Sequence, residues 1–426
     1  MNDQFGKIEK NEGDQDKDES QSKMKPNKKV TEKLAARQLE QIRQYLLDRG
    51  NRRDVIARTK TKSGQELDWI PIESQTQDGR IASPPSEDGL YLENPKIPAD
   101  GHEIRNHKLM VFELQRKSVQ LGPKGTVPVV RRDISKIQPI GTLKDYLSKH
   151  GRAIHILPDD DPREFAYPED GTTHKYTYSA QYVTCYGAQG NINAWDPYLE
   201  WSNEFSLGQV ALARGSGNGK QTIEAGHQEF RNLYGDWVPQ LFVFYTTNGY
   251  TASGDNKGGY NRDVDGWVQY SNLIYPEAKS SPLSRFGGIQ YIMPIKWQLW
   301  QGNWWLRVNG IWIGYYPANL FNTSGLRSQA GKVAWYGEIV DSGNHAGTTA
   351  TDMGNGHWPY EGWRHCAYMS NLYYQSSTGG ALSRYNPSSI YATDPLCYDI
   401  EGHFDNTGSW GPYFWWGGSG RNSGCP

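Results

Sequence analysis

Two glutamates stand in segments whose other residues are typical of buried strands. Glu224 lies in QTIEAGHQ and Glu338 lies in VAWYGEIV. A carboxylate is costly to bury unless it is paired, protonated or hydrogen-bonded, and burial raises its pKa. A pair of such groups can offer one acid and one base for hydrolysis. The two glutamates are far apart in the chain, so only the fold could bring them together.

A second constellation has the i, i+4, i+8 spacing of metal ligands on one helix face. It consists of His357, Glu361 and His365. Glycines and a proline are interspersed in this segment, GNGHWPYEGWRH, and both residue types disfavour a helix. We therefore expect a turn with aromatic packing here, and no metal site.

The four cysteines are Cys185, Cys366, Cys397 and Cys425. Four buried thiols are compatible with the sequence, but an even count near a glycine-rich C-terminus favours one or two disulfides. The first candidate is the pair Cys397 and Cys425. It would close a loop of roughly 29 residues, which contributes about 3 kcal/mol in the chain-entropy description.

Composition excludes several classes of function. The 426 residues carry a formal net charge of −2, so no strong positive field indicates nucleic acid as a partner. No apolar run approaches the length of a membrane helix, so we expect no membrane association. The chain is rich in glycine (47), tyrosine (27) and tryptophan (16), which favours strands and turns.

From about Lys175 onward, short alternating runs follow one another between clusters of Gly, Asn, Asp and Pro. They include KYTYSAQYV, LFVFYTT, GWVQY, IQYIMPIKWQLW, NWWLRVNGIWIGYYP and KVAWYGEIV. Many short strands with regular turn signals predict an all-β sandwich or barrel. Several runs are nearly apolar throughout, as expected where both faces of a strand are covered.

The first half differs in composition and predicts three further segments. Residues 1–30 are charged, lack the apolar core of a secretory signal, and indicate a disordered leader. Helices are expected at 31–49, capped by Thr31 and ended by Gly50, and at 142–150, with short strands between them. Residues 158–174 are acidic and proline-rich, which is typical of an exposed linker open to proteolysis.

Ordered blocks of this sequence resemble the neprosin family, named for a pitcher-plant digestive peptidase. They are NINAWDPYLEWSNEFSLGQVAL, QTIEAGHQ, LYGDWVPQLFVFYTTNGY, GNWWLRVNGIWIGYYPANLF, VAWYGEIV, DMGNGHWPYEGW and the C-terminal CYDIEGHFDNTGSWGPYFWWGGSGRNSGCP. The resemblance covers residues 175–426. In the first half, TKSGQELDWIPIESQ and GPKGTVPVVRRD resemble the activation-peptide region of the family.

The resemblance implies a secreted zymogen of a glutamic peptidase. The catalytic domain, 175–426, would be an antiparallel, jelly-roll-like β-sandwich, preceded by a smaller mixed α+β propeptide at 31–157. The enzyme would be a monomeric endopeptidase that cleaves after proline at acidic pH, with proline-rich peptides as substrates and no cofactor or metal. The propeptide would act as an intramolecular inhibitor until the linker is cut, in the window 158–175.

The family's two catalytic glutamates correspond to Glu224 and Glu338. We take Glu224 first as the base and Glu338 as the acid, with the reverse order open. His227 stands where the family usually has tryptophan, and it is expected to lie near substrate. Trp335 and Tyr336 are expected to contact substrate as well, with simple core packing as the alternative for both. The cysteine pair that the plant pattern has after the central block is absent, which indicates a relative outside the plant branch.

Two rival functions fit the same composition. A glycoside hydrolase also uses two carboxylates in an aromatic-rich β-sandwich. A non-catalytic β-sandwich that binds carbohydrate or cell-wall material needs no glutamate pair at all, so retention of both glutamates argues against it.

Overall fold

The computed structural model describes residues 28–86, 107–137, 141–149, 173–343, 347–378 and 382–425. The expected leader and the expected linker with its cleavage site lie almost entirely outside these residues. The helices are α1 (Lys28–Asn51), α2 (Leu143–Leu147) and α3 (Arg231–Tyr234). None of the helices within these ranges combines the length and the hydrophobicity needed to cross a membrane.

Strands are the main regular element of the described chain. In chain order they are β1 (Ala57–Lys60), β2 (Glu66–Pro71), β3 (His107–Leu109), β4 (Thr126–Val130), β5 (Thr173–Cys185), β6 (Gly187–Asn193), β7 (Ser206–Arg214), β8 (Gln221–Glu229), β9 (Gln240–Thr246), β10 (Gly258–Tyr260), β11 (Val268–Gln269), β12 (Gln290–Trp300), β13 (Asn303–Val308), β14 (Ile311–Pro317), β15 (Ala330–Asp341), β16 (Ala367–Gln375), β17 (Leu382–Arg384), β18 (Ser389–Ala392), β19 (Asp399–His403) and β20 (Tyr413–Gly417).

Two large sheets face each other in the second half of the chain. Sheet I has seven antiparallel strands in the order β10-β9-β8-β7-β15-β5-β18. Sheet II has ten strands, with β11-β14-β13-β12-β6-β16-β20-β19 as its main path and β17 and β3 at its sides. The architecture is the expected antiparallel β-sandwich. Every run that the sequence marked as a strand contributes at least one strand to these two sheets.

Sheet I is covered on both of its faces. Every residue of β8 and β9 is buried, although neighbouring side chains on a strand point in opposite directions. One face packs on sheet II through a large hydrophobic core. The other face is covered by the first half of the chain, where the carbonyl of Leu147 lies against Gly259 of β10. This double cover explains why these strands are nearly apolar in sequence.

The first half is a small α+β unit that is joined to the sandwich. Strands β1, β2 and β4 form a separate three-stranded antiparallel sheet. Strand β3 instead pairs with β12 in parallel, so the first half adds one strand to sheet II. No pattern in the sequence predicts this pairing, because β3 has only three residues and its partner lies far along the chain.

The two expected helices exist, with different ends. Helix α1 begins at Lys28 and continues through Gly50 to Asn51, because lysine favours the helix and a single glycine in a last turn costs only about 1 kcal/mol. Helix α2 is shorter than 142–150. Thr142 caps it through a reciprocal pair of hydrogen bonds with Asp145, and the chain becomes extended at Ser148.

The cysteines divide into two kinds. Cys397 and Cys425 form the expected disulfide, which ties the C-terminus to the segment before β19. Cys185 and Cys366 are buried thiols. Burial raises the pKa of the Cys185 thiol to about 12, so this sulfur stays protonated and behaves as a small apolar group.

One tryptophan fixes the spacing of the two sheets beneath β15. A Cβ built on Gly337 would lie 2.2 Å from the ring of Trp416 on β20, and one built on Gly208 of β7 would lie 2.9 Å from the same ring. The two glycines are directly paired between β15 and β7. Their missing side chains therefore form the recess that accepts the indole.

Substituting Gly337 by alanine tests this packing. We expect Gly337→Ala to lower the free energy of unfolding by about 1–3 kcal/mol, because the added methyl group overpacks a filled recess. Urea unfolding of the full chain, followed by tryptophan fluorescence, measures the loss. Gly331→Ala is the matched control on β15, where the nearest atom to a new Cβ is 3.5 Å away. Equal stabilities of the two variants would contradict the argument.

Candidate functional site

Sheet I places Glu224 and Glu338 on the same face, the one that is turned away from sheet II. Glu224 of β8 pairs with Ala211 of β7, and Ala211 pairs with Ala334 of β15. Directly paired residues share a face, and so do residues two or four apart on one strand. Glu338 therefore projects in the same direction as Glu224. Both side chains are fully buried.

A lysine from the first half joins the two carboxylates. The ammonium Nζ of Lys149 donates to Oε2 of Glu224 at 2.7 Å and to Oε2 of Glu338 at 2.6 Å. The Lys149 side chain is 1% exposed, so all three charges are shielded from water. Three charges buried this deeply persist only because they neutralise one another in part and are hydrogen-bonded.

Each glutamate also has its own partners on its second oxygen. Oε1 of Glu224 accepts hydrogen bonds from the hydroxyls of Thr222, at 2.8 Å, and Tyr250, at 2.5 Å. Oε1 of Glu338 shares a hydrogen bond with Nδ1 of His174 at 2.6 Å. The two carboxylates therefore differ in chemistry, because one has neutral hydroxyl donors and the other has an ionisable imidazole.

The same contacts set the protonation of the cluster. Burial by itself would raise the pKa of Glu338, but the charge of Lys149 and the hydrogen bond from His174 outweigh it and lower the pKa of this carboxyl. Burial also opposes the charge on Lys149, and the two glutamates more than compensate, so the pKa of Lys149 is raised. The cluster thus holds one cation between two carboxylates.

Buried polar contacts fix the segment that carries Lys149. The hydroxyl of Tyr146, on α2, donates to Oδ2 of Asp263 at 3.1 Å. Arg132, on the loop after β4, donates to the same oxygen at 2.7 Å and lies 3.3 Å from Glu277. The main-chain carbonyl of Lys149 itself accepts a hydrogen bond from Tyr260 of β10 at 3.3 Å. The ammonium is therefore placed by the fold of the first half.

The other residues expected to contact substrate lie on two different faces. Tyr336 shares the face of Glu338, and its ring centroid is 5.6 Å from Nζ of Lys149. Trp335 points the opposite way and packs against Gly190 of sheet II. His227 also faces sheet II, in a small recess that it lines together with Trp416.

The expectation that His227 and Trp335 contact substrate is therefore not supported by their placement. The physical reason is the two-residue period of a strand, which puts odd-numbered residues of β8 and β15 in the core between the sheets. Burial lowers the pKa of His227 to about 3, so this imidazole is neutral. Tyr336 remains the one member of the three at the glutamate pair.

Sequence reasoning missed Lys149, His174, Thr222 and Tyr250. The two-residue period of a strand could have indicated two of them, because residues two apart share a face. Thr222 lies two residues before Glu224, and His174 alternates with Tyr176 and Tyr178 on β5. No local pattern marks Lys149. Its partners lie 75 and 189 residues away in the chain.

The two other groups that could hold a metal have local explanations. His357 is hydrogen-bonded to Glu361 at 2.9 Å, in a turn where Phe286 packs on His357 and His365. This is the expected turn with aromatic packing. Among the described residues, Asp394, Cys397 and Cys425 also come close together, but the two sulfurs are joined in the disulfide.

Comparison with known proteins places the site within one family. A family model described as Neprosin matches residues 202–419, just over half of the 426 residues, and includes both glutamates. Sheep galectin-11 in complex with glycerol is a similar solved structure, with 14% identity over 39% of this chain and 96% of its own, at a TM-score of 0.22. CG-16, a homodimeric agglutinin from chicken liver, has 7% identity over 39% and 93%, at a TM-score of 0.21. At these scores neither likeness bears on function.

Replacing Lys149 tests the electrostatics of the cluster. We expect Lys149→Met to lower the free energy of unfolding of the full chain by about 3–5 kcal/mol at pH 7, because two buried carboxylates lose their cation. The stabilisation of wild type is present above the ordinary carboxyl pKa and is lost as pH falls through the lowered pKa of Glu338. The difference between the proteins should therefore shrink at pH 4.

Urea unfolding at both pH values measures the difference. Lys144→Met is the matched control, because Lys144 is exposed on α2, close to Lys149 in the chain. We expect it to change stability by less than about 0.5 kcal/mol at either pH. A Lys149→Met effect that is the same at pH 7 and pH 4 would contradict the charge argument.

Proposed function

This chain belongs to the neprosin family, and on that premise we propose that it is the zymogen of a glutamic endopeptidase whose catalytic residues are Glu224 and Glu338. Family membership is consistent with a peptidase. The single observation that carries the finer assignment is the convergence of both buried carboxylates on one point, which Lys149 occupies. Two carboxylates at one point can share a proton and supply the acid and the base that hydrolysis needs.

The reaction proposed is the addition of water to a peptide carbonyl. One glutamate, ionised, takes a proton from a water molecule as its oxygen bonds to the carbonyl carbon. The other, protonated, donates its one proton to the leaving nitrogen, and the C–N bond breaks to give an acid and an amine. The proton taken from water then passes to the second glutamate, which restores the starting state. Acidic pH favours this state, because at higher pH both carboxyls are ionised.

The order of the two glutamates remains a prediction. The family resemblance leads us to take Glu224 as the base, with the reverse order open. His174 favours the reverse order once Lys149 has left, because its hydrogen bond lowers the pKa of Glu338, whereas the described partners that remain on Glu224 are the hydroxyls of Thr222 and Tyr250.

The first half is proposed to be the inhibitory propeptide. Lys149 supports this role, because its ammonium occupies the position between the glutamates where the water and the scissile bond would lie. The lowered pKa of Glu338 in this state links release to pH. Protonating Glu338 removes one of the two charged partners of Lys149, so acid weakens the hold of the propeptide on the site.

The proposal also includes a preference for cleavage after proline and action outside the cell. Cleavage after proline fits Tyr336, whose ring lies beside the site on the same face as Glu338 and could pack on a pyrrolidine ring. Action outside the cell is supported by the disulfide between Cys397 and Cys425, since disulfides persist in oxidising compartments.

Glutamine substitutions test the catalytic pair. The full chain would carry a specific protease site within residues 158–172, so that it folds intact and is cut afterwards. After cutting and acidification, we expect Glu224→Gln and Glu338→Gln each to lower kcat for a proline-containing peptide by more than about 100-fold between pH 3 and 7, because each removes one proton-transfer group.

The control for these substitutions is Glu401→Gln, an exposed glutamate on β19 of the other sheet, which should keep wild-type rates. A parallel peptide with alanine in place of proline measures the expected preference. Release of reducing sugar from β-glucans, instead of peptide cleavage, would favour the hypothesis of a glycoside hydrolase. Wild-type rates in both glutamine variants would refute the assignment.

A second test addresses inhibition by the propeptide. In the cut but undiluted protein near pH 6.5, we expect wild type to stay mostly inhibited and Lys149→Met to be at least about 10-fold more active, because the variant lacks the ammonium that holds both glutamates. Initial rates on the same peptide measure this. Lys144→Met should behave as wild type, and equal inhibition of all three proteins would remove Lys149 from the mechanism.

A further inference from the structure

A glutamine lies between the two glutamates on the floor of the site. Gln209 is on β7, the strand that separates β8 from β15, and it pairs with Gly226 on one side and Tyr336 on the other. Glu224 pairs with Ala211 and Glu338 pairs with Leu207, two residues to either side of Gln209. Gln209 therefore shares their face and stands at the midpoint of the diagonal that joins them.

This position brings the amide within reach of whatever binds between the glutamates. Diagonal neighbours on adjacent antiparallel strands are about 7–8 Å apart at Cα, a separation that long side chains span. Gly226 has no side chain on this face, and a Cβ built there would lie 2.9 Å from Cβ of Gln209. The absence of that side chain leaves room beside the amide.

Within the part of the chain that the structure describes, the amide of Gln209 has no hydrogen-bond partner. The side chain is fully buried, and neither Nε2 nor Oε1 forms a hydrogen bond within the described residues. A buried amide without partners destabilises a fold, and native proteins retain very few such groups. Gln228, on the same face of β8, is the contrasting case, because both ends of its amide are bonded, to Tyr260 and to Tyr234.

We propose that Gln209 is a third catalytic residue, which donates a hydrogen bond from Nε2 to the carbonyl oxygen of the scissile peptide bond. This inference depends on the proposed peptidase activity and adds the group that stabilises charge on that oxygen. As water adds to the carbonyl carbon, the oxygen gains negative charge, and a donor that is already in place is most effective there. No proton is transferred from Gln209, and the two glutamates still carry all proton movements.

The unpaired amide is then a feature of the unliganded site. Nε2 finds its partner only when substrate binds, so the free protein bears the cost of a buried polar group whose hydrogen bond forms during the reaction. A residue retained for structure has the opposite signature, because its hydrogen bonds are present in the folded protein without substrate. This difference separates the two roles experimentally.

The test substitutes methionine, which has a similar length and no amide. In the linker-cut, acidified full chain, we expect Gln209→Met to lower kcat by about 100- to 1,000-fold with KM within about three-fold of wild type. In the uncut chain, we expect the urea midpoint to stay equal or to rise, since an unpaired buried amide has been removed. Peptide hydrolysis at pH 4 and urea unfolding at pH 7 measure the two quantities.

Gln228→Met is the matched control for the unfolding measurement. It should lower the urea midpoint clearly, because it removes an amide that is hydrogen-bonded at both ends, to Tyr260 and to Tyr234. A lowered midpoint for Gln209→Met, a kcat within three-fold of wild type, or a loss that appears only in KM would each overturn the proposal. Failure of the peptidase proposal is recognised separately, since wild type would then lack activity or both glutamine variants would retain it.

Discussion

The structure depends on one arrangement, two carboxylates and one ammonium group enclosed where no water reaches them. Removing Lys149 leaves two carboxylates buried without their cation, so the surrounding contacts are needed to hold the lysine in place. Tyr146 and Arg132 place Lys149 from one side, through their hydrogen bonds to Asp263. On the other side of the cluster, the tight packing of both faces of sheet I excludes water.

The strand order of sheet I gives this cluster its geometry. Glu224 and Glu338 lie on strands that are not neighbours, and β7 between them sets their separation. Two residues of β7 itself, Ala211 and Gly208, are small. Ala211 leaves space for the cluster on one face of the sheet, and Gly208 leaves space for Trp416 on the other. The same strand carries Gln209 at the centre. A single central strand thus serves both the packing of the sandwich and the floor of the site.

Much of this could be predicted from the sequence, and the reasons for the failures are physical. The strands, the glutamate pair and the disulfide follow from local alternation, ordered family blocks and cysteine placement. His227 and Trp335 do not lie on the substrate side, where the sequence interpretation put them. That interpretation treated neighbours in the chain as neighbours in the site, although alternate residues of a strand point to opposite faces. Lys149 could not be predicted, since only the docking of the first half on sheet I brings it to the glutamates.

Lys149 and His174 contact the two oxygens of the same carboxylate, and the chain between them is continuous. While this chain is intact, the ammonium of Lys149 competes with substrate for Glu338. Its effective concentration is set by the length of the connecting chain, of the order of millimolar, and does not depend on the amount of protein present. Once the tether is cut, the competition becomes bimolecular and depends on the total concentration. Under the proposed inhibition by the first half, the cut protein would then gain activity as it is diluted, so dilution would itself act as a regulator.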